Sequence, residues 1–153
     1  MAHTRSLMCM VAVSVLVLSA CSSLTVPNVD FGWPVESPLT VSASNMVEDI
    51  RYGLVFPVAP LAAAEFGDST ALRNSTLRII RNSEGFYFVT GPGFKHDYVF
   101  APRAAALVQQ AALEVSTTGL KSPALNLRSP YIELLDEGVS RLLSSSETVG
   151  GKK

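Results

Sequence analysis

The sequence predicts a mainly β fold, a small β-sandwich or a curled antiparallel sheet of about six to eight short strands, on three observations. Apolar and polar residues alternate with a period of two in several short runs. β-branched and aromatic residues gather in runs bounded by Gly, Pro, Asn and Asp. Two pairs of such runs are separated by three or four residues that end in glycine, the spacing of hairpins. One helix is expected near 102–116, with an α+β arrangement as the alternative.

Leu39, Val41 and Ala43 alternate with Thr40 and Ser42, the pattern of a half-buried strand, which Ser44-Asn45 breaks. From Ile50 the alternation resumes through Tyr52, Leu54, Phe56 and Val58. Pro57 and Pro60 cannot donate to a ladder, so that strand lies at an edge or ends there. Residues 67–69, Gly-Asp-Ser, read as a loop. Residues 76–81 and 86–90 flank Asn82-Ser-Glu-Gly85, the clearest hairpin, because Gly85 can take a left-handed conformation. Gly91-Pro-Gly93 forces a turn before a strand over 95–100.

Ala104, Leu107, Val108, Ala111, Ala112 and Val115 fall at helical spacing, with Pro102 in a first-turn position and Gly119 past the end. That spacing and the alanine content favour a helix. Residues 131–135 and 139–143, joined by Asp136-Glu-Gly138, can form a second hairpin or one helix capped by Ser129. The hairpin is favoured, since a mid-helix Gly138 costs about 1 kcal/mol. Residues 144–153 are polar and glycine-containing and are expected to form a disordered tail. The body of the fold is thus expected at 30–143, as a single β-rich domain.

The N-terminus carries a different signal. Arg5 precedes 14 apolar or small residues at 7–20, a length matching a signal-peptide core. At about 1.5 Å per residue they reach roughly 21 Å, short of a hydrocarbon core of about 30 Å. The end of this stretch, Leu18-Ser19-Ala20-Cys21, resembles the lipobox of bacterial lipoproteins: an aliphatic residue, two small ones and a cysteine. An ordinary secretory cut before Cys21 fits less well, because Leu18 is bulky where a small side chain is needed. The resemblance covers residues 1–21 and implies removal of a signal peptide, 1–20, and acylation of Cys21. Membrane lipid would then be a partner through the acyl chains, firmly held when two or three are present. Residues 21–29, which include Pro27 and Asn28, read as a lipidated tether. By the same resemblance, Ser22 after the cysteine implies outer-membrane delivery where the host has an outer membrane.

Without its first 20 residues the chain has 133, one domain of common size. Of its 12 Lys and Arg, 11 remain against 13 Asp and Glu, a net charge near −2. That balance gives no footprint for nucleic acid. Cys9 goes with the signal and Cys21 to lipid, so disulfides, cysteine nucleophiles and cysteine zinc sites are excluded from the body. His96 is its one imidazole, which leaves no multi-histidine metal site, and no cofactor is expected.

His96-Asp97 is the most site-like segment, His96 being a candidate general base with Lys95 beside it. Neighbours on a strand point to opposite faces, so Asp97 is not placed to orient His96. No nucleophile motif accompanies the pair, and no catalytic residue is assigned. Gly91-x-Gly93 lacks the remaining features of a phosphate loop. Glu48-Asp49 and Asp136-Glu137 read as solvated turn acids. Asn74-Ser-Thr76 matches a glycosylation sequon, which means little in the bacterial host that the lipobox resemblance implies. Phe86, Phe88, Tyr98 and Phe100 read as core, while Tyr87, Phe94 and His96 make the candidate binding surface. The expected role is that of a membrane-anchored envelope lipoprotein acting as a non-catalytic binding or accessory module, with an envelope protein as partner. The alternatives are a small envelope hydrolase using His96 or a glycan-binding module.

Overall fold

Eleven antiparallel strands and one short helix account for most of the residues that the computed structural model describes, 35–104 and 106–152. The expected signal peptide, Cys21, the tether and the first residues of the expected domain, 30–34, lie outside the described residues. In chain order the elements are β1 (Ser37–Thr40), β2 (Met46–Asp49), β3 (Leu54–Pro57), α1 (Ala59–Phe66), β4 (Thr76–Arg81), β5 (Tyr87–Thr90), β6 (His96–Arg103) and β7 (Ala106–Glu114). They continue as β8 (Ala124–Arg128), β9 (Tyr131–Asp136), β10 (Val139–Leu143) and β11 (Thr148–Lys152). The strands form a five-stranded sheet in the order β1-β4-β5-β6-β7, a four-stranded sheet β11-β10-β9-β8, and the separate hairpin β2–β3. The fold is mainly β, as the alternation predicts.

Local chemistry explains the two hairpins. Asn82 closes β4–β5: its Oδ1 accepts the N–H groups of Glu84 (3.1 Å) and Phe86 (2.9 Å), while Gly85 takes φ +93°. In β9–β10 the paired residues Asp136 and Val139 leave only Glu137 (φ +47°) and Gly138 (φ +82°) between them. Two successive left-handed residues match the right-handed twist of the flanking strands.

Two expectations are corrected. Residues 106–114 are strand β7, where a helix near 102–116 is expected. Leu107, Ala111 and Leu113 turn inward while Ala106, Val108, Gln110, Ala112 and Glu114 are exposed, a pattern of period two apart from Gln109. The same residues also satisfy a helical period. The ladder from His96↔Glu114 to Arg103↔Ala106 decides between them, outweighing an alanine preference of less than about 1 kcal/mol per residue.

The helix is instead α1, which has Pro60 in its first turn and ends at Gly67 (φ +73°), whose N–H donates to the Ala63 carbonyl. Eight residues do not hold a helix alone, and burial of Leu61 and Ala62 supplies what propensity does not.

The tail 144–153 contains β11, paired with β10 across a register shift at Leu142/Leu143. Ser144 makes the return possible. Its hydroxyl accepts the Ser146 and Glu147 N–H groups and donates to the Glu147 carbonyl.

Both sheets contribute to one core. Leu125, Ile132, Leu134 and Leu143 share a face of the four-stranded sheet by register and are buried. Ile80, Phe88 and Val99 share a buried face of the five-stranded sheet. Each such side chain contributes about 1.5–3 kcal/mol by leaving water. Glu36 ties the sheets together: Oε1 accepts Arg78 Nη1 and Oε2 accepts the Leu125 N–H, both at 2.7 Å. Gly119 (φ +97°) closes another junction, since a Cβ there would stand 2.8 Å from the Gly93 carbonyl oxygen. The Gly93 N–H and the Leu120 carbonyl bond at 2.7 Å across that contact. Among the described residues no helix is long and apolar enough to cross a membrane.

Candidate functional site

β6 carries the sequence's most site-like residues, and its alternation divides them between two faces. His96, Tyr98 and Phe100 start from one face, Asp97 and Val99 from the other. On the first face the partner of His96 is Glu65, delivered by the last turn of α1 from 31 positions earlier. Glu65 Oε1 accepts the Lys95 backbone N–H. Its Oε2 accepts the Tyr98 hydroxyl at 2.8 Å and lies 3.0 Å from His96 Nδ1. An ionised carboxylate only accepts, so Nδ1 carries the proton here.

The Glu65 side chain is 1% exposed and that of His96 37%. Burial alone would raise the Glu65 carboxyl. The bonds from Lys95, His96 and Tyr98, with the charge of His96, outweigh it and hold Glu65 below the ordinary range. The Tyr98 phenol is pushed upward by burial and by its bond to that carboxylate.

Asp97 has the opposite surroundings. It is fully buried, and neither carboxylate oxygen has a hydrogen-bond partner among the described residues. Burial raises its carboxyl to about 8, which the Val89 backbone N–H lowers only in part. Thr90, also buried, is satisfied, its hydroxyl donating to the His96 carbonyl at 3.2 Å.

The three residues of the expected binding surface separate. Phe94 is fully buried, edge-on to Phe66 (5.5 Å) and Tyr98 (6.0 Å), and so belongs to the core and not to a surface. The turn at Gly91-Pro-Gly93 faces it inward, with the Leu120 N–H on the Phe94 carbonyl. His96 is partly exposed beside Glu65. Tyr87, 8% exposed, meets the edge of Tyr52 at 5.3 Å and lines a cleft.

That cleft, of about 730 Å³, lies between β3 with α1 on one side and β5, β6 and β7 on the other. Leu54, Phe56, Pro57, Pro60, Leu61, Phe100, Pro102 and Leu107 make its lining mostly apolar, with Tyr87 and Gln109 as polar members. Its volume is within the usual range of ligand sites, about 300–1,000 Å³.

One acid of each pair is structural, while Glu48 and Glu137 are exposed. Asp49 is buried, and not the solvated turn acid expected, because its Oδ1 accepts the Arg51 and Tyr52 N–H groups that close β2–β3. Asp136 accepts the Lys121 and Ser122 N–H groups. Among the described residues no group of three His, Cys, Asp or Glu side chains could hold a metal ion.

Sequence reading missed Glu65, which has no motif around it. The one signal for its element is Ala62-Ala63-Ala64 between Pro60 and Gly67. What the face can do chemically is hold an imidazole by Nδ1 with Nε2 directed away from the carboxylate. Among the described residues no hydroxyl is hydrogen-bonded to Nε2. No protein-family model matches the chain, and no curated protein or solved structure matches it either.

Proposed function

We propose that the chain is a lipid-anchored module of a bacterial envelope, tethered through Cys21, whose folded part binds a ligand or partner without transforming it. The observation that carries the binding is the apolar cleft between β3, α1 and β5–β7, large enough for a small molecule and, among the described residues, lined by no charged side chain. Leu18-Ser19-Ala20-Cys21 supports the address, by its likeness to a lipobox. Two measurements test the two halves. Cys21→Ser should move the protein out of the membrane fraction, and equal fractionation with wild type would refute the anchor. A photo-crosslinking residue at Gln109 should capture the occupant in intact cells, and a cleft with no adduct of any kind would refute the binding.

The Glu65–His96 pair favours a second reading, since a carboxylate on Nδ1 is how hydrolases orient a general base. A hydrolase of this kind would lose turnover in His96→Ala while its unfolding midpoint stayed within about 1 kcal/mol of wild type. An unchanged cellular phenotype for His96→Ala would remove this reading.

A further inference from the structure

Resting on the reading that the cleft binds, we infer that its occupant is a single-chain amphiphile with an anionic head, such as a fatty-acid carboxylate. Strand register carries the inference. Arg81 pairs with Tyr87, Tyr87 with Phe100, and Phe100 with Gln109, so these four side chains form one row across β4, β5, β6 and β7. Tyr87, Phe100 and Gln109 all line the cleft, which makes the row its polar end.

Arg81 is exposed and stands at the end of that row, beside the lining residue Tyr87 and not in the lining itself. Its Cζ lies 5.8 Å from the centre of the Tyr87 ring. A Cβ on Gly85 would stand 3.3 Å from Arg81 Nη2, so the guanidinium occupies space that glycine leaves open. The Arg81 N–H is engaged by the Tyr52 hydroxyl at 3.3 Å, whereas its guanidinium makes no ion pair among the described residues. The Tyr87 hydroxyl has no hydrogen-bond partner among the described residues, which leaves it able to donate.

A cation without an acidic partner beside an apolar cleft complements a negative head and an apolar tail. The carboxylate accepts from Arg81 and the Tyr87 hydroxyl, and the chain lies along Leu54, Phe56, Pro60, Leu61 and Leu107. A cationic or uncharged head would leave the guanidinium unmatched.

The test is calorimetric titration of the full-length Cys21→Ser chain with dodecanoate, dodecanol and dodecyltrimethylammonium. Dodecanoate should bind most tightly, and Arg81→Gln should weaken it about tenfold while leaving dodecanol unchanged. Arg103→Gln, an exposed position on the opposite face of β6, should leave dodecanoate unchanged. Leu107→Trp should abolish both dodecanoate and dodecanol. Equal binding of dodecanoate and dodecanol, insensitive to Arg81→Gln, would overturn the anionic head and leave the binding reading standing. Preference for the ammonium, or no binding of any probe, would overturn the inference. The Gln109 crosslink would then decide the binding reading separately.

Discussion

The two faces of β6 handle a carboxylate in opposite ways. On one, Glu65 arrives from α1 into a nearly closed site and meets a backbone N–H, an imidazole and a phenol. On the other, Asp97 comes from the strand itself into the core, where only the Val89 backbone N–H approaches it. Burial opposes ionisation in both, and more strongly in Asp97, which the core encloses completely. Donors complete the difference: three bonds outweigh burial and keep Glu65 ionised, while Asp97 lacks such a set and stays protonated at neutral pH. Glu65 therefore clamps α1 to β6, and with it one wall of the cleft, while Asp97 is a cost that the apolar contacts around it offset.

The contrast breaks most directly through pH. Folded Asp97 keeps its proton up to about pH 8, whereas the unfolded chain releases it near 3.8. The folded state binds the extra proton in that window, so this group's contribution to stability falls as pH rises from about 4 to about 8 and is flat above. The slope is at most about 1.4 kcal/mol per pH unit. Urea unfolding across that range should show it in wild type and not in Asp97→Asn. Equal slopes would mean that Asp97 has a partner after all.

Next in size, Glu65→Ala leaves the Lys95 N–H and the Tyr98 hydroxyl without their acceptor, and should cost about 3 kcal/mol in urea unfolding at pH 7. Proteolysis of α1 should accelerate with it.

Glu65→Gln sharpens the comparison, since it keeps an acceptor and removes the charge. With the folded carboxyl lowered, the stability of Glu65 is present above its unfolded value of 4.5 and is lost as pH falls through the folded value. Glu65→Gln should therefore be about 1–2 kcal/mol less stable than wild type at pH 7, with the difference vanishing in acid. A difference that persisted there would assign the effect to packing.

Smallest is His96→Ala, about 0.2–1 kcal/mol, because the imidazole is partly in water. A larger loss would make the imidazole, and not Lys95 and Tyr98, the main partner of Glu65.

What was legible in the sequence follows the range of the interactions. Asn82 and Gly85 act within five positions, and Glu137 and Gly138 within four, so both hairpins could be read from turn chemistry. β7 could not, because the apolar positions of 102–116 fit two periods and the partner strand alone selects one. β11 was hidden by the same limit, its polar residues giving no sign of the ladder with β10. The separation of Asp97 from His96 follows from strand alternation alone. The pairing of His96 with Glu65 does not, since it spans 31 positions and crosses from helix to strand.

By itself, then, the sequence determined the β class, the two glycine-closed hairpins with their turns, and the lipobox-like segment ending at Cys21. These depend on backbone dihedral preferences and side-chain sizes within a few residues. The tertiary structure decided that 106–114 is a strand, that Phe94 and Asp97 are buried, that Glu65 meets His96, and that Arg81, Tyr87, Phe100 and Gln109 stand in one row. Those outcomes depend on which distant strand or helix packs alongside, and so on burial and pairing energies summed over the whole core, which no local pattern encodes.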